Sequence, residues 1–104
     1  MNYTTTLNGL VGDNDLVYFS KPNCKLCKDL ESYLLSNANI SHKKIDITEL
    51  DGDLGIDIVE FMKSEFPVET FPICFVQGKF IGTTKNTVAY FELHKSFNDP
   101  GDFW

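Results

Sequence analysis

The chain has 104 residues, 42% of them hydrophobic, and a formal net charge of −6 at pH 7. That length suits one domain with a modest core, spanning 1–104. Fifteen acidic residues against nine basic ones predict repulsion from nucleic acid and anionic membranes, and no apolar run approaches the roughly 20 residues that cross a bilayer.

The polar opening Met1-Asn2-Tyr3-Thr4-Thr5-Thr6 lacks the basic and apolar regions of a signal peptide. Three cysteines, two of them close together, do not make the even-numbered framework of a small secreted domain. A reducing, cytoplasmic setting is therefore the expectation. The ordered core is expected over about 16–97, with 1–13 and 98–104 as terminal extensions.

Leu16 to Ser20 reads as a short buried strand. Lys25 to Asn37 carries Leu26, Leu30, Tyr33 and Leu34 at the spacing of one helical face. The alternating stretch Ser41 to Asp46 predicts a second strand, exposed on one side, which enters an acidic loop from Glu49 to Gly55. Ile58, Phe61, Met62 and Phe66 recur at helical spacing between Asp57 and Phe66, and Pro67 stops that helix. Pro72 to Val76 and Lys79 to Ile81, joined by Gln77-Gly78, predict a hairpin whose turn glycine takes a positive φ. A last helix from Asn86 to Phe97 would cover the sheet, giving the order β-α-β-α-β-β-α.

Charge is uneven along this order. Eight acids and one base, Lys63, lie between Asp46 and Glu69, whereas Lys21 to Lys44 holds five lysines against Asp29 and Glu31. All the basic residues are lysine, so no guanidinium is available to grip an anion in bidentate fashion.

The chemistry concentrates in Ser20-Lys21-Pro22-Asn23-Cys24-Lys25-Leu26-Cys27-Lys28. A C-x-x-C between a strand and a helix places two thiols at a helix start, where outward N–H groups and three lysines favour a thiolate. Residue i+3 returns to the same helical face, so Cys27 lies within disulfide reach of Cys24 and one turn deeper. Cys24 is thus the expected attacking thiol, with a depressed pKa, and Cys27 the resolving one. Neither step needs a metal. A structural zinc site would need a second ligand pair, for which Cys74 and one histidine are poorly spaced. Cys74 reads as a core residue, and His42 and His94 as surface or partly buried histidines. Asp51, Asp53, Gly55 and Asp57 imitate a calcium loop, but Met62 stands where the bidentate glutamate belongs. Phe103 and Trp104 read as an aromatic tail that either tucks onto the domain or anchors a partner.

Val17-Tyr18-Phe19-Ser20-Lys21 before the C-x-x-C, Thr70-Phe71-Pro72 before a strand, and Gly78-Lys79-Phe80-Ile81-Gly82 after it together resemble a glutaredoxin of the thioredoxin fold. The resemblance implies an α/β fold with a central four-stranded mixed sheet, and a thiol-disulfide oxidoreductase that uses glutathione as co-substrate. It makes Pro72 a cis-proline against the cysteines and lets the Phe71 backbone pair with a bound substrate. It places substrate or glutathione contacts at Lys21, Leu26, Thr70, Phe71, Pro72, Gly82, Thr83, Thr84 and Lys85. Protein disulfides and glutathionylated proteins would be the substrates, ribonucleotide reductase among them as for relatives, and the enzyme would be a monomer without metal. Three departures stand out. Lys25-Leu26 replaces the common Pro-Tyr, Gly82-Thr83-Thr84-Lys85-Asn86 lacks the aspartate that pairs with the γ-glutamyl ammonium, and Val68-Glu69 replaces a basic or amide side chain. Two alternatives follow: a thioredoxin-like reductase fed by thioredoxin reductase, and a dimer holding a [2Fe–2S] cluster through the first cysteine and glutathione.

Overall fold

The computed structural model describes residues 3–12, 14–37 and 39–98, the side chains of the last helix up to Leu93. The elements are α1 (Thr4–Val11), β1 (Leu16–Ser20), α2 (Lys25–Ser36), β2 (His42–Asp46), a single 3₁₀ turn (Ile47–Glu49), α3 (Leu54–Glu65), β3 (Ile73–Val76), β4 (Lys79–Gly82) and α4 (Thr84–Asn98). The four strands form one sheet in the order β2-β1-β3-β4. β1 runs parallel to β2 and antiparallel to β3, which pairs antiparallel with β4, so the sheet is mixed as expected.

Alternation along the central strands divides the core in two. Val17, Phe19, Ile73 and Phe75 face one side, with Ile58 and Met62 of α3 and Leu7 and Val11 of α1. Leu16, Tyr18, Cys74 and Val76 face the other, with Leu30 and Leu34 of α2 and Tyr90 and Phe91 of α4 packed there. Both faces are covered, so every residue of β1 and β3 is buried, which explains their unbroken apolar runs. β2 and β4 form the edges and carry Lys43, Lys44 and Lys79, charges that oppose edge-to-edge pairing.

Within the stretch expected to be a terminal extension, residues 4–11 form α1. Leu7, Leu10 and Val11 recur at helical spacing; Leu7 and Val11 are buried, while Tyr3 donates its hydroxyl to Asp57 at 2.9 Å and packs on Phe61. α3 begins at Leu54, three residues before the expected start, and its buried face of Gly55, Ile58 and Met62 begins inside the acidic run. The front of that run is also ordered: Asp46 accepts hydrogen bonds from the Thr48 N–H at 2.9 Å and hydroxyl at 2.6 Å, which hold its carboxyl below the usual range. α4 starts at Thr84 rather than Asn86, for a capping reason taken up below. In the β3–β4 turn both Gln77 and Gly78 have positive φ, of 50° and 83°. His94 and Phe97 fall on α4, but their side chains, like the whole of Phe103 and Trp104, lie outside the described residues.

Candidate active site

The site is built on the loop that leaves the C-terminal end of β1. Asn23 adopts a positive φ of 59°, a conformation asparagine tolerates, and turns the chain into α2. Cys24 is the N-cap of α2, with extended backbone, and its Sγ accepts the Cys27 backbone N–H at 3.1 Å. The sulfur thus takes the place a serine or aspartate oxygen has at other helix starts. Cys24 and Cys27 are joined as a disulfide, their Cα atoms 5.2 Å apart. Cys27 is the more deeply placed, 2% exposed against 7% for Cys24.

Phe71-Pro72 is a cis peptide bond, and Phe71 shares one buried cluster with Cys24 and Cys27. The Lys21 ammonium sits 5.3 Å from the centre of the Phe71 ring, a cation–π contact that ties the loop before Cys24 to the cis-proline loop. Leu26, between the cysteines, is 41% exposed. Its carbonyl accepts the Thr84 hydroxyl at 2.6 Å, so the start of α4 is pinned to the active-site turn. Gly82 is buried at the end of β4, while Thr70 and Lys85 are exposed.

The capping role of Asn86 escaped sequence reading. Its Oδ1 accepts from the backbone N–H of Thr83 at 3.2 Å and from the Thr83 hydroxyl at 3.4 Å, while the Thr83 carbonyl accepts the Thr87 N–H at 3.0 Å. This is one half of a capping box, with asparagine at the third helical position reaching back to the Thr83 N–H, and the spacing Thr83-x-x-Asn86 was the available signal. It starts α4 two residues early. It also means that Thr83 and Thr84, expected to contact glutathione, already spend their hydroxyl protons within the protein. Asn86 and Thr83 form one wall of an open groove of about 500 Å³, and Lys63, Phe66, Pro67, Val68 and Glu69 line the rest. Lys63 and Phe66 were also missed as lining residues; Lys63 is the lone base of the acidic stretch.

The other candidates stay apart from the disulfide. Cys74 is fully buried on the opposite face of the sheet, and burial pushes its thiol up to about 12, so it is a core residue without thiolate character near neutrality. His42 is exposed on the edge strand, with Nδ1 3.1 Å from the Ile40 carbonyl. Among the described residues no three histidine, cysteine, aspartate or glutamate side chains converge as metal ligands. Likewise, no described helix is long and apolar enough to cross a membrane.

Comparison with known proteins agrees with this geometry. A family model for glutaredoxin matches residues 16–81, from the first strand through both cysteines to β4. No curated protein sequence matches the chain. Among solved structures, the holo form of glutaredoxin C1 from Populus tremula x tremuloides is 25% identical, covers 89% of each chain and superposes with a TM-score of 0.70. A wheat glutaredoxin is 26% identical over 88% of this chain and 85% of its own, with a TM-score of 0.72. A buckwheat glutaredoxin–glutathione complex shares the fold at 22% identity, with a TM-score of 0.66 over 88% of this chain and 80% of its own. The family model spans more than half of the chain and includes its C-x-x-C, so the protein belongs to the glutaredoxin family of thiol-disulfide oxidoreductases.

Proposed function

We propose that this enzyme reduces protein disulfides and glutathione mixed disulfides through the Cys24/Cys27 pair. One observation carries the assignment of roles: the Cys24 sulfur caps α2 and receives the Cys27 N–H at 3.1 Å, while Cys27 lies deeper. In the reduced enzyme the same N–H, with the positive end of the helix dipole, stabilises a Cys24 thiolate. That thiolate attacks one sulfur of the substrate disulfide; a new S–S bond forms and the other substrate sulfur leaves as a thiolate that takes a proton. Cys27, losing its proton, then attacks Cys24 Sγ, closes the internal disulfide and releases the second substrate thiol. Two electrons pass from the dithiol to the substrate. Two glutathione thiols return them, forming oxidised glutathione.

The hold on glutathione rests on the Lys21 ammonium and on the backbone of Phe71 beside the cis bond, with Leu26, Thr70, Pro72, Gly82 and Lys85 around it. The Thr83 N–H, engaged by Asn86, is available only if that cap opens. This engagement, with Glu69 on the groove wall, favours a second reading in which a flavoprotein such as thioredoxin reductase supplies the electrons.

The test is a pair of variants assayed with each donor. Cys24→Ser is expected to abolish turnover of every substrate, whereas Cys27→Ser keeps glutathione-dependent deglutathionylation and loses reduction of protein disulfides. Full activity in Cys24→Ser overturns the assignment.

A further inference from the structure

The charge around the disulfide is the reverse of the molecule's. The whole chain carries −6, yet from Leu16 to Lys28 the charged side chains are Lys21, Lys25 and Lys28, and from Thr70 to Phe91 they are Lys79 and Lys85. The fold gathers four of these five at one end of the sheet. Lys21 lies over Phe71, Lys25 follows Cys24, and Lys28 sits one turn on, its N–H bonded to the Cys24 carbonyl at 3.1 Å. Lys85 follows Thr84, whose hydroxyl holds the Leu26 carbonyl. Lys79 is at the far end, beside the turn whose Gln77 N–H reaches the Asp15 carbonyl.

All four lysines are exposed, and Leu26 rises among them as an exposed apolar side chain. Three carboxylates border this shelf. Asp29 meets Lys25 only at 4.0 Å, with the lysine 90% exposed, a pairing too weak to occupy it. Asp46, beside Ser20 at the end of β2, is held by Thr48. Glu69 stands on the wall of the neighbouring groove. The surface is therefore polarised, cationic with an apolar centre on the α2 and α4 side and acidic on the α3 side.

We propose that this lysine shelf is a docking surface for protein substrates whose reducible cysteine lies in an acidic segment, with an apolar side chain seated on Leu26. The proposal rests on the Cys24/Cys27 reading above and adds to it the substrate's charge. The occupant follows from complementarity: a carboxylate-rich segment is repelled by the net charge of this acidic molecule and attracted by these four lysines, which both selects and orients the encounter.

The experiment compares three peptides bearing the same disulfide between acidic, neutral or basic flanks. Each rate is normalised to the peptide's uncatalysed reduction by dithiothreitol, which removes differences in leaving-group acidity. At about 0.1 M ionic strength, where screening extends over about 10 Å, the acidic peptide is expected to be reduced roughly tenfold faster in kcat/KM than the basic one. At about 1 M salt, with screening near 3 Å, the two should agree within about twofold. The double variant Lys28→Glu, Lys85→Glu should invert the preference, while Lys79→Glu, which changes net charge away from the site, keeps it. Equal rates, a preference for the basic peptide, or a preference indifferent to salt would overturn the proposal. Cys24→Ser separates the two levels: if it still reduces the peptides, the catalytic reading has failed, and if it is inactive while wild type treats all three alike, only the docking proposal has.

Discussion

Gly82→Ala probes the junction between sheet, groove and active-site turn. Gly82 closes β4 opposite Cys74 with φ of 137°, a backbone conformation that side chains rarely adopt. A Cβ there would lie 2.7 Å from Asn86 Cγ, 2.9 Å from its Cβ and closer still to Oδ1, the atom that caps Thr83. The backbone strain costs about 1–3 kcal/mol. Displacing the asparagine forfeits a cap worth about 1 kcal/mol, for a total of about 2–4 kcal/mol. For a domain of this size, that lowers Tm by on the order of 10–30 °C. Thermal unfolding of wild type, Gly82→Ala and Asn86→Ala measures both parts, because Asn86→Ala should lose only the cap contribution. The reasoning is refuted if Gly82→Ala melts no lower than Asn86→Ala, since the positive-φ strain would then be absent.

Two further outcomes are expected. Burial raises the Cys74 thiol from 9.0 to about 12, so below the unfolded value both states are protonated, and as pH rises toward 12 only the unfolded thiol ionises, removing stability on the order of 4 kcal/mol. Urea titrations should show wild type and Cys74→Ala converging between about pH 8 and pH 11; a gap independent of pH counts against the assignment. Leu7 is 4% exposed in the cluster that holds the disulfide, so Leu7→Ala should lower unfolding free energy by about 2–5 kcal/mol, and an unchanged urea midpoint would show that α1 adds nothing to the core.

The amino-acid order alone marked most of the elements and the cysteine pair, because both are short-range. Short apolar runs and helical spacing mark β1, α2 and the β3–β4 hairpin within a few residues, and Cys24 and Cys27 need only one helical turn to meet. The acidic run hid Leu54 and so the start of α3, and the threonine-rich opening hid α1, whose apolar face has meaning only once Phe61 and Asp57 stand opposite Tyr3. Tertiary structure decided everything that joins distant segments. The Thr84 hydroxyl finds the Leu26 carbonyl across 58 residues, and Lys21 finds the Phe71 ring. Asn86 claims the Thr83 N–H, and the segments that carry Lys21, Lys25, Lys28 and Lys85 arrive at the same end of the sheet. Such pairings depend on which strand lies beside which, and that order is set by burying both faces of the sheet at once, a condition no local window contains.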